Sequence, residues 1–115
     1  MMALLDKAKF LAKDDFEYKD VYIKGLDGEV RIRALSIEDQ ISFEKLAAAD
    51  ELDQASLMFS LIIKCCVDEE GERLFEESDA EFLKHKSADV IVTLFKEIMK
   101  INHIDPDEVE DLAKN

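Results

Sequence analysis

The order of apolar and polar residues over residues 20–49 predicts a β-hairpin followed by a helix. Val21 and Ile23 occupy every second position before an Asp27-Gly28 pair, and the same alternation resumes after it. Period-two alternation around an Asp-Gly turn is a strong indication of a hairpin. Two strands alone are not stable in water, so one face of the hairpin must pack on helices. We predict its strands over residues 17–23 and 29–34.

Apolar residues at helical spacing begin after the hairpin and recur to the end of the chain. Ser36 precedes Asp39 by three residues, which is the spacing of a capping box at a helix start. Ser78 and Glu81 repeat that spacing, and Ser87 precedes a further apolar pattern. Predicted helices span residues 37–49, 54–67 and 88–102, with shorter ones over residues 3–13, through Phe82 and Leu83, and through Val109 and Leu112.

The segment over residues 54–67 is the most apolar part of the chain. Only Ser56, Ser60 and Lys64 form a polar stripe on it, which leaves an apolar arc of roughly 240° on a helical projection. A helix on the surface of a globular protein needs a much narrower apolar arc. We therefore predict that this helix is central to the core, to an oligomer interface, or to both.

The length and the low glycine and proline content indicate one helical domain. A chain of 115 residues can bury a core without metals or disulfides. One proline and three glycines are too few for a many-turned sandwich or barrel. We predict an α+β fold that is mostly α-helical, with one N-terminal β-hairpin packed on four to five helices, in a single domain over residues 1–115.

The chain is strongly acidic, with 28 Asp and Glu against 15 Lys and Arg and a net charge of −13. This charge argues against nucleic acid as a partner, because that interaction needs Lys and Arg to displace counterions, and against an anionic membrane surface. Two interpretations remain: a surface charge that keeps copies apart, and a protein that imitates DNA or docks on a basic partner. No apolar run approaches the length that spans a bilayer, so we expect a soluble intracellular protein.

The residue types that often carry catalysis or bind metals show no motif here. Cys65 and Cys66 are adjacent, which disfavours a mutual disulfide, and without zinc-binding spacing we expect them to be reduced core residues. His85 and His103 stand alone near helix ends, where a cap or dipole role is expected for His103. The loop over residues 66–77 resembles a calcium-binding frame but begins with a cysteine where a carboxylate is needed. We expect no cofactor, no metal and no catalytic residue.

Five sequence segments follow one another along nearly the whole chain: VYIKGLDGEVRIRALS, IEDQISFEKL, CCVDEEGERLF, ESDAEFLKHKSADVIVTLFKEIMKIN and IDPDEVEDLAKN. In their order and spacing they resemble the tail assembly chaperones of long-tailed double-stranded DNA bacteriophages. The hairpin turn departs from that family pattern, because relatives often have an aromatic and Pro-containing turn where this chain has KGLDGE.

The resemblance implies a non-enzymatic role in assembling a phage tail. Such chaperones coat the long, helical tape measure protein, keep it soluble, and help tail tube subunits polymerise around it. They act in the bacterial host cytoplasm and are absent from the mature virion. Many also exist in a longer frameshifted form that recruits the tail tube protein. We therefore expect the tape measure protein and the tail tube protein as partners, and self-association of copies into an open or spiral oligomer.

Three other functions are compatible with parts of the sequence. An acidic DNA-mimic or inhibitor protein would bind a basic host protein, and salt would weaken that binding steeply. A small structural tail component would persist in purified particles. A small enzyme would need a polar pocket, which no motif indicates.

Apolar residues that remain partly exposed after folding are the expected partner-binding residues. A tape measure helix exposes apolar stripes that aggregate, so its chaperone must offer complementary apolar surface. Core packing is the alternative role for each such residue. The expected contact residues are Leu5, Phe10, Phe43, Phe59, Ile63, Val92 and Met99.

Overall fold

The computed structural model describes residues 4–49 and 54–105, which form a mostly helical α+β fold. These residues contain five α-helices and one three-stranded antiparallel sheet, so the predicted fold class is confirmed and the hairpin gains one strand. The predicted helix through Val109 and Leu112 lies outside the described residues. The elements are α1 Lys7–Ala12, β1 Tyr18–Ile23, β2 Gly28–Arg33, α2 Ile37–Ala47, α3 Gln54–Cys65, β3 Cys66–Val67, α4 Ala80–Leu83 and α5 Ala88–Ile101.

The hairpin of β1 and β2 places its apolar residues on one buried face, as the alternation predicts. Val21, Ile23 and Ile32 are buried. The turn differs from the predicted Asp-Gly turn, because Ile23 already pairs with Gly28 and residues 24–27 form the loop. Asp27, with a φ of 49°, takes the left-handed conformation that glycine favours. Aspartate tolerates this conformation better than most residues do.

A third strand replaces the last turn of the helix predicted over residues 54–67. The helix ends at Cys65, and Cys66 and Val67 then pair with β2. The residues from the end of α3 into β3 are all apolar. Their pattern therefore does not distinguish the buried end of a helix from a buried strand of two residues. The chain turns back after β3, and Val67 forms a bridge with Arg73.

Helix α3 lies at the centre of the core. It contacts α2, α4 and α5, and α5 in turn contacts both strands of the hairpin. Leu57, Leu61 and Ile62 of α3 are fully buried together with Ile32 and Ile98. Burial of a side chain of this size stabilises the fold by about 2 kcal/mol. The central role predicted for this helix in the core is therefore confirmed.

Serine caps begin the two longest predicted helices outside α3. The hydroxyl of Ser36 accepts a hydrogen bond from the amide of Asp39 at 3.1 Å, and Ser87 caps α5 in the same way. The second capping box, predicted at Ser78 and Glu81, is wrong by two residues. The observed box is formed by Glu76 and Asp79, and each of these side chains accepts a hydrogen bond from the backbone amide of the other, ahead of α4. The sequence around Ser78 contains several acidic residues at compatible spacings, and tertiary packing selects among them.

Helix α1 is shorter than the predicted 3–13 segment, and none of its residues is buried. The Asp6 carboxylate accepts from the amide of Lys9 at 2.8 Å and so begins the helix after the leucines that precede it. Leu5 and Phe10 are 59% and 67% exposed. Helix α1 therefore exposes apolar side chains to solvent.

Candidate functional site

A groove of about 560 Å³ opens between α2, α3 and α4. Phe59 and Ile63 of α3 lie one helical turn apart along it, and Leu46 lines it from α2. Ala49 and Ala80 complete the apolar part of the lining. We name this cleft the α2–α4 groove. Its apolar lining suits a hydrophobic side chain that a partner inserts.

The polar stripe of α3 lines the same groove. Ser56, Ser60 and Lys64 follow one another at helical spacing, so they share one face of α3. Ser60 and Lys64 are only 9% and 7% exposed, because α2 and α4 pack on both sides of this face. The stripe that the sequence assigns to the polar side of the helix therefore lines this groove.

The α2–α4 groove carries positive charge on a strongly negative protein. Its lining contains Lys45, Lys64 and Lys84 against the single carboxylate of Glu77. Lys84 is paired with Glu81 at 3.0 Å. No carboxylate within residues 4–49 and 54–105 lies within 4.0 Å of the Lys64 ammonium group. The groove thus combines an apolar lining with a lysine that has no carboxylate partner among these residues.

Two of the expected contact residues, Phe59 and Ile63, meet in this groove. Phe59 is partly exposed and packs against the edge of the core, whereas Ile63 is only 2% exposed. The expectation of partial exposure is wrong for Ile63, which lies in the buried part of α3 from Ser60 to Cys65. Ile63 can contact a partner only at the bottom of the groove.

The remaining expected contact residues lie elsewhere. Phe43 and Met99 are each 4% exposed, so the expectation that they remain partly exposed is wrong. Phe43 belongs to the buried face of α2, and Met99 belongs to the buried face of α5. Leu5, Phe10 and Val92 are exposed, but they do not line the α2–α4 groove.

Leu46 and the lysines of the groove are not among the expected contact residues. Ile37 and Ile41 are apolar residues of α2 at helical spacing, yet they are 72% and 46% exposed. Apolar residues lie on both sides of this helix, so the sequence alone does not indicate which side is buried. The structure buries the side that carries Phe43 and Ala47.

A second, polar cleft of about 410 Å³ lies beside the hairpin. Several of its charged residues already have partners, as in the ion pair of Arg31 with Asp20 at 2.7 Å. In the adjoining loop, Asp68 accepts hydrogen bonds from the amides of Glu70 and Glu72 at 2.9 and 3.0 Å. Asp68, the third residue of the calcium-like frame over residues 66–77, therefore caps its own loop. Within the described residues, no group of three or more His, Cys, Asp or Glu could hold a metal ion.

The two cysteines are poor nucleophiles in this environment. Cys65 and Cys66 are free and fully buried. Burial raises the pKa of each thiol to about 12. A thiol with so high a pKa is not ionised near neutral pH, and the thiolate is the reactive form.

The fold of this chain matches that of a solved structure. The chain shares its fold with the tail assembly chaperone of bacteriophage HK97. The TM-score is 0.58 at 19% sequence identity, and the match covers 75% of this chain and 85% of the chaperone chain. No protein-family model matches the sequence, and neither does any curated protein. At this identity the likeness establishes a common fold. Within the described residues, no helix is both long and apolar enough to cross a membrane.

Proposed function

We propose that this protein is a non-enzymatic tail assembly chaperone of a phage or prophage. It binds the tape measure protein, keeps it soluble, and promotes polymerisation of the tail tube around it. The observation that carries the proposal is the shared fold with the HK97 tail assembly chaperone over 75% of this chain. The partly apolar α2–α4 groove supplies a surface suited to such a partner.

The physical requirements of that task agree with the groove and with the charge of the chain. A helix with an exposed apolar stripe aggregates unless another protein covers the stripe. Phe59 and Ile63 offer apolar contacts to it one helical turn apart, in the manner of a helix bound in a groove. The net charge of −13 then keeps the complex from associating with further complexes.

Other exposed apolar residues supply contacts between copies of the chaperone. Leu5 and Phe10 lie in or beside α1 and Val92 lies on α5, and none of the three lines the groove. A contact between two different surfaces of identical chains repeats head to tail and gives an open or spiral oligomer. Such an oligomer could extend along an elongated client in the host cytoplasm. Recruitment of the tail tube protein would fall to a longer, frameshifted form.

Co-expression with the tape measure protein of the same phage or prophage tests the proposal. The wild-type chain should move the tape measure protein from the insoluble to the soluble fraction and co-purify with it. Phe59→Ser should lose this effect, because Phe59 lines the groove. Phe82→Ser is the matched control, since Phe82 is 71% exposed on α4 and does not line the groove. A tape measure protein that stays insoluble with the wild-type chain contradicts the proposal.

A further inference from the structure

We infer that the α2–α4 groove selects a client helix that carries a carboxylate beside its apolar stripe, and that Lys64 binds this carboxylate. The inference rests on the proposed chaperone function and specifies the chemistry of the client segment. It follows from the burial of Lys64, from the charge of the groove and from the spacing of its apolar residues.

Lys64 has no counter-charge among the described residues. It is only 7% exposed and lies on the face of α3 that lines the groove. Its ammonium nitrogen is not among the buried polar atoms that lack a partner, so the long side chain packs along the groove and its charged end still reaches solvent there. No carboxylate of residues 4–49 or 54–105 lies within 4.0 Å of it. A carboxylate on a bound partner would provide the missing charge.

The distribution of charge over the groove favours the same partner. Lys45 and Lys84 lie with Lys64 in the lining, and once Glu77 and the Glu81 partner of Lys84 are counted, one positive charge remains at a cleft of a chain whose net charge is −13. This local excess attracts an acidic segment and repels a basic one. Because Phe59 and Ile63 are adjacent to the stripe of Ser60 and Lys64 on α3, the partner's carboxylate must lie beside its apolar stripe.

The exposed apolar helix of a second copy does not satisfy this requirement. Helix α1 carries Lys7 and Lys9, and only Asp6 is acidic within the same turn. Docking α1 in the groove would bring like charges together, which disfavours the contact. The occupant that fits best is therefore a separate acidic amphipathic helix.

Three synthetic peptides test the selection directly. Each is about 20 residues long, because shorter helices are marginal in water. Each carries the same leucine stripe, and they differ only in one residue beside it, which is Glu, Gln or Lys. The binding of labelled peptide to the full chain is measured by fluorescence anisotropy. The Glu peptide should bind at least about tenfold more tightly than the Gln peptide, as expected for a close charge pair that excludes water, and the Lys peptide should bind most weakly.

Substitution of Lys64 should remove the preference without removing the groove. With Lys64→Met, which keeps the length of the side chain, the Glu and Gln peptides should bind equally. Lys64→Gln serves as a second variant, and circular dichroism confirms that each is folded. Lys96→Met is the matched control, because Lys96 is exposed on α5 outside the groove, and it should retain the preference.

Equal binding of the peptides to the wild-type chain would overturn the inference, as would no binding of any peptide. A preference that survives in Lys64→Met would also overturn it. Weaker self-association of Lys64→Met with unchanged peptide binding would assign the groove to a second copy instead.

If Lys64→Met solubilises the tape measure protein as well as the wild type does, the chaperone function stands and the inference fails. If the wild type selects the Glu peptide but leaves the tape measure protein insoluble, the groove chemistry stands and the proposed client is wrong.

Discussion

The backbone amide of Leu35 donates a hydrogen bond of 2.7 Å to the side-chain oxygen of Asn102. Leu35 lies between β2 and α2, and Asn102 follows the last residue of α5. The side-chain amide of Asn102 donates in turn to the carbonyl of Ile98 at 2.9 Å. One side chain therefore joins the corner after the hairpin to the end of α5, over 67 residues of sequence.

Removal of the Asn102 side chain should destabilise the protein by about 2 kcal/mol, because Asn102→Ala leaves the partly buried amide of Leu35 without its acceptor. Urea unfolding followed by circular dichroism measures the change. Asn102→Asp keeps an oxygen for Leu35 but turns a second oxygen toward the Ile98 carbonyl at the C-terminus of α5, where a negative charge is unfavourable, so it should also destabilise the protein. Equal stability of wild type and Asn102→Ala would show that water replaces this contact.

His103→Gly should stabilise the protein by about 1 kcal/mol, because His103 has a φ of 56° and glycine adopts such a conformation without strain. The residue ends α5: its amide donates to Lys100, and the amide of Ile104 donates to Met99, the pattern of a Schellman motif. The predicted cap role of His103 is thus played by its backbone. Lys96→Gly, in the interior of α5, is the control and should destabilise the protein by about 1 kcal/mol. A loss of stability in His103→Gly would contradict the assignment.

Native Cys65 and Cys66 should resist a thiol reagent at pH 8 and react only when urea unfolds the chain, since burial raises the pKa of both thiols to about 12. The raised thiol pKa also makes the stability depend on pH. Because the pKa of each thiol is higher in the folded state than in the unfolded state, its contribution to the free energy of unfolding is complete below the unfolded-state pKa and is lost as the pH rises toward the folded-state pKa. The free energy of unfolding should therefore fall more steeply above about pH 9 in the wild type than in a Cys65→Ala, Cys66→Ala variant. Rapid labelling of the native protein would refute the burial of these thiols.

A charge should be tolerated at Phe59 but not at Ile63. Ile63→Asp places a carboxylate at a site that is 2% exposed, and its cost of several kcal/mol should unfold the protein. Phe59→Asp lies at the partly exposed lip of the groove and should keep the native circular dichroism spectrum while losing the client. The helical signal at 222 nm distinguishes the two variants. Loss of helix in both would place Phe59 in the core as well.

The sequence predicts those parts of the fold in which one local pattern decides the structure. Alternation around Val21 and Ile32 identifies the buried face of the hairpin, and the hydroxyls of Ser36 and Ser87 mark helix starts. Where two patterns compete, the sequence is insufficient. Cys66 continues the apolar run of α3 but belongs to a strand, because pairing with β2 outweighs one more helical turn.

The groove was less predictable than the fold. The apolar arc of α3 includes Phe59 and Ile63, which made both candidates, but it does not show that Lys64 is buried beside them. That burial results from the packing of α2 and α4 on α3, and residues distant in the sequence determine it. A polar stripe on an otherwise apolar helix can therefore line a cleft instead of facing bulk water.

The measurement that tests the chaperone function most directly is the yield of tails from a phage or prophage whose copy of this gene is deleted. Electron microscopy counts the tails, and mass spectrometry of purified particles checks for the protein itself. The proposed function predicts that tails are lost on deletion, restored by the wild-type gene in trans but not by Phe59→Asp, and free of this protein when mature. Normal tails without the gene, or stoichiometric protein in purified particles, would contradict it.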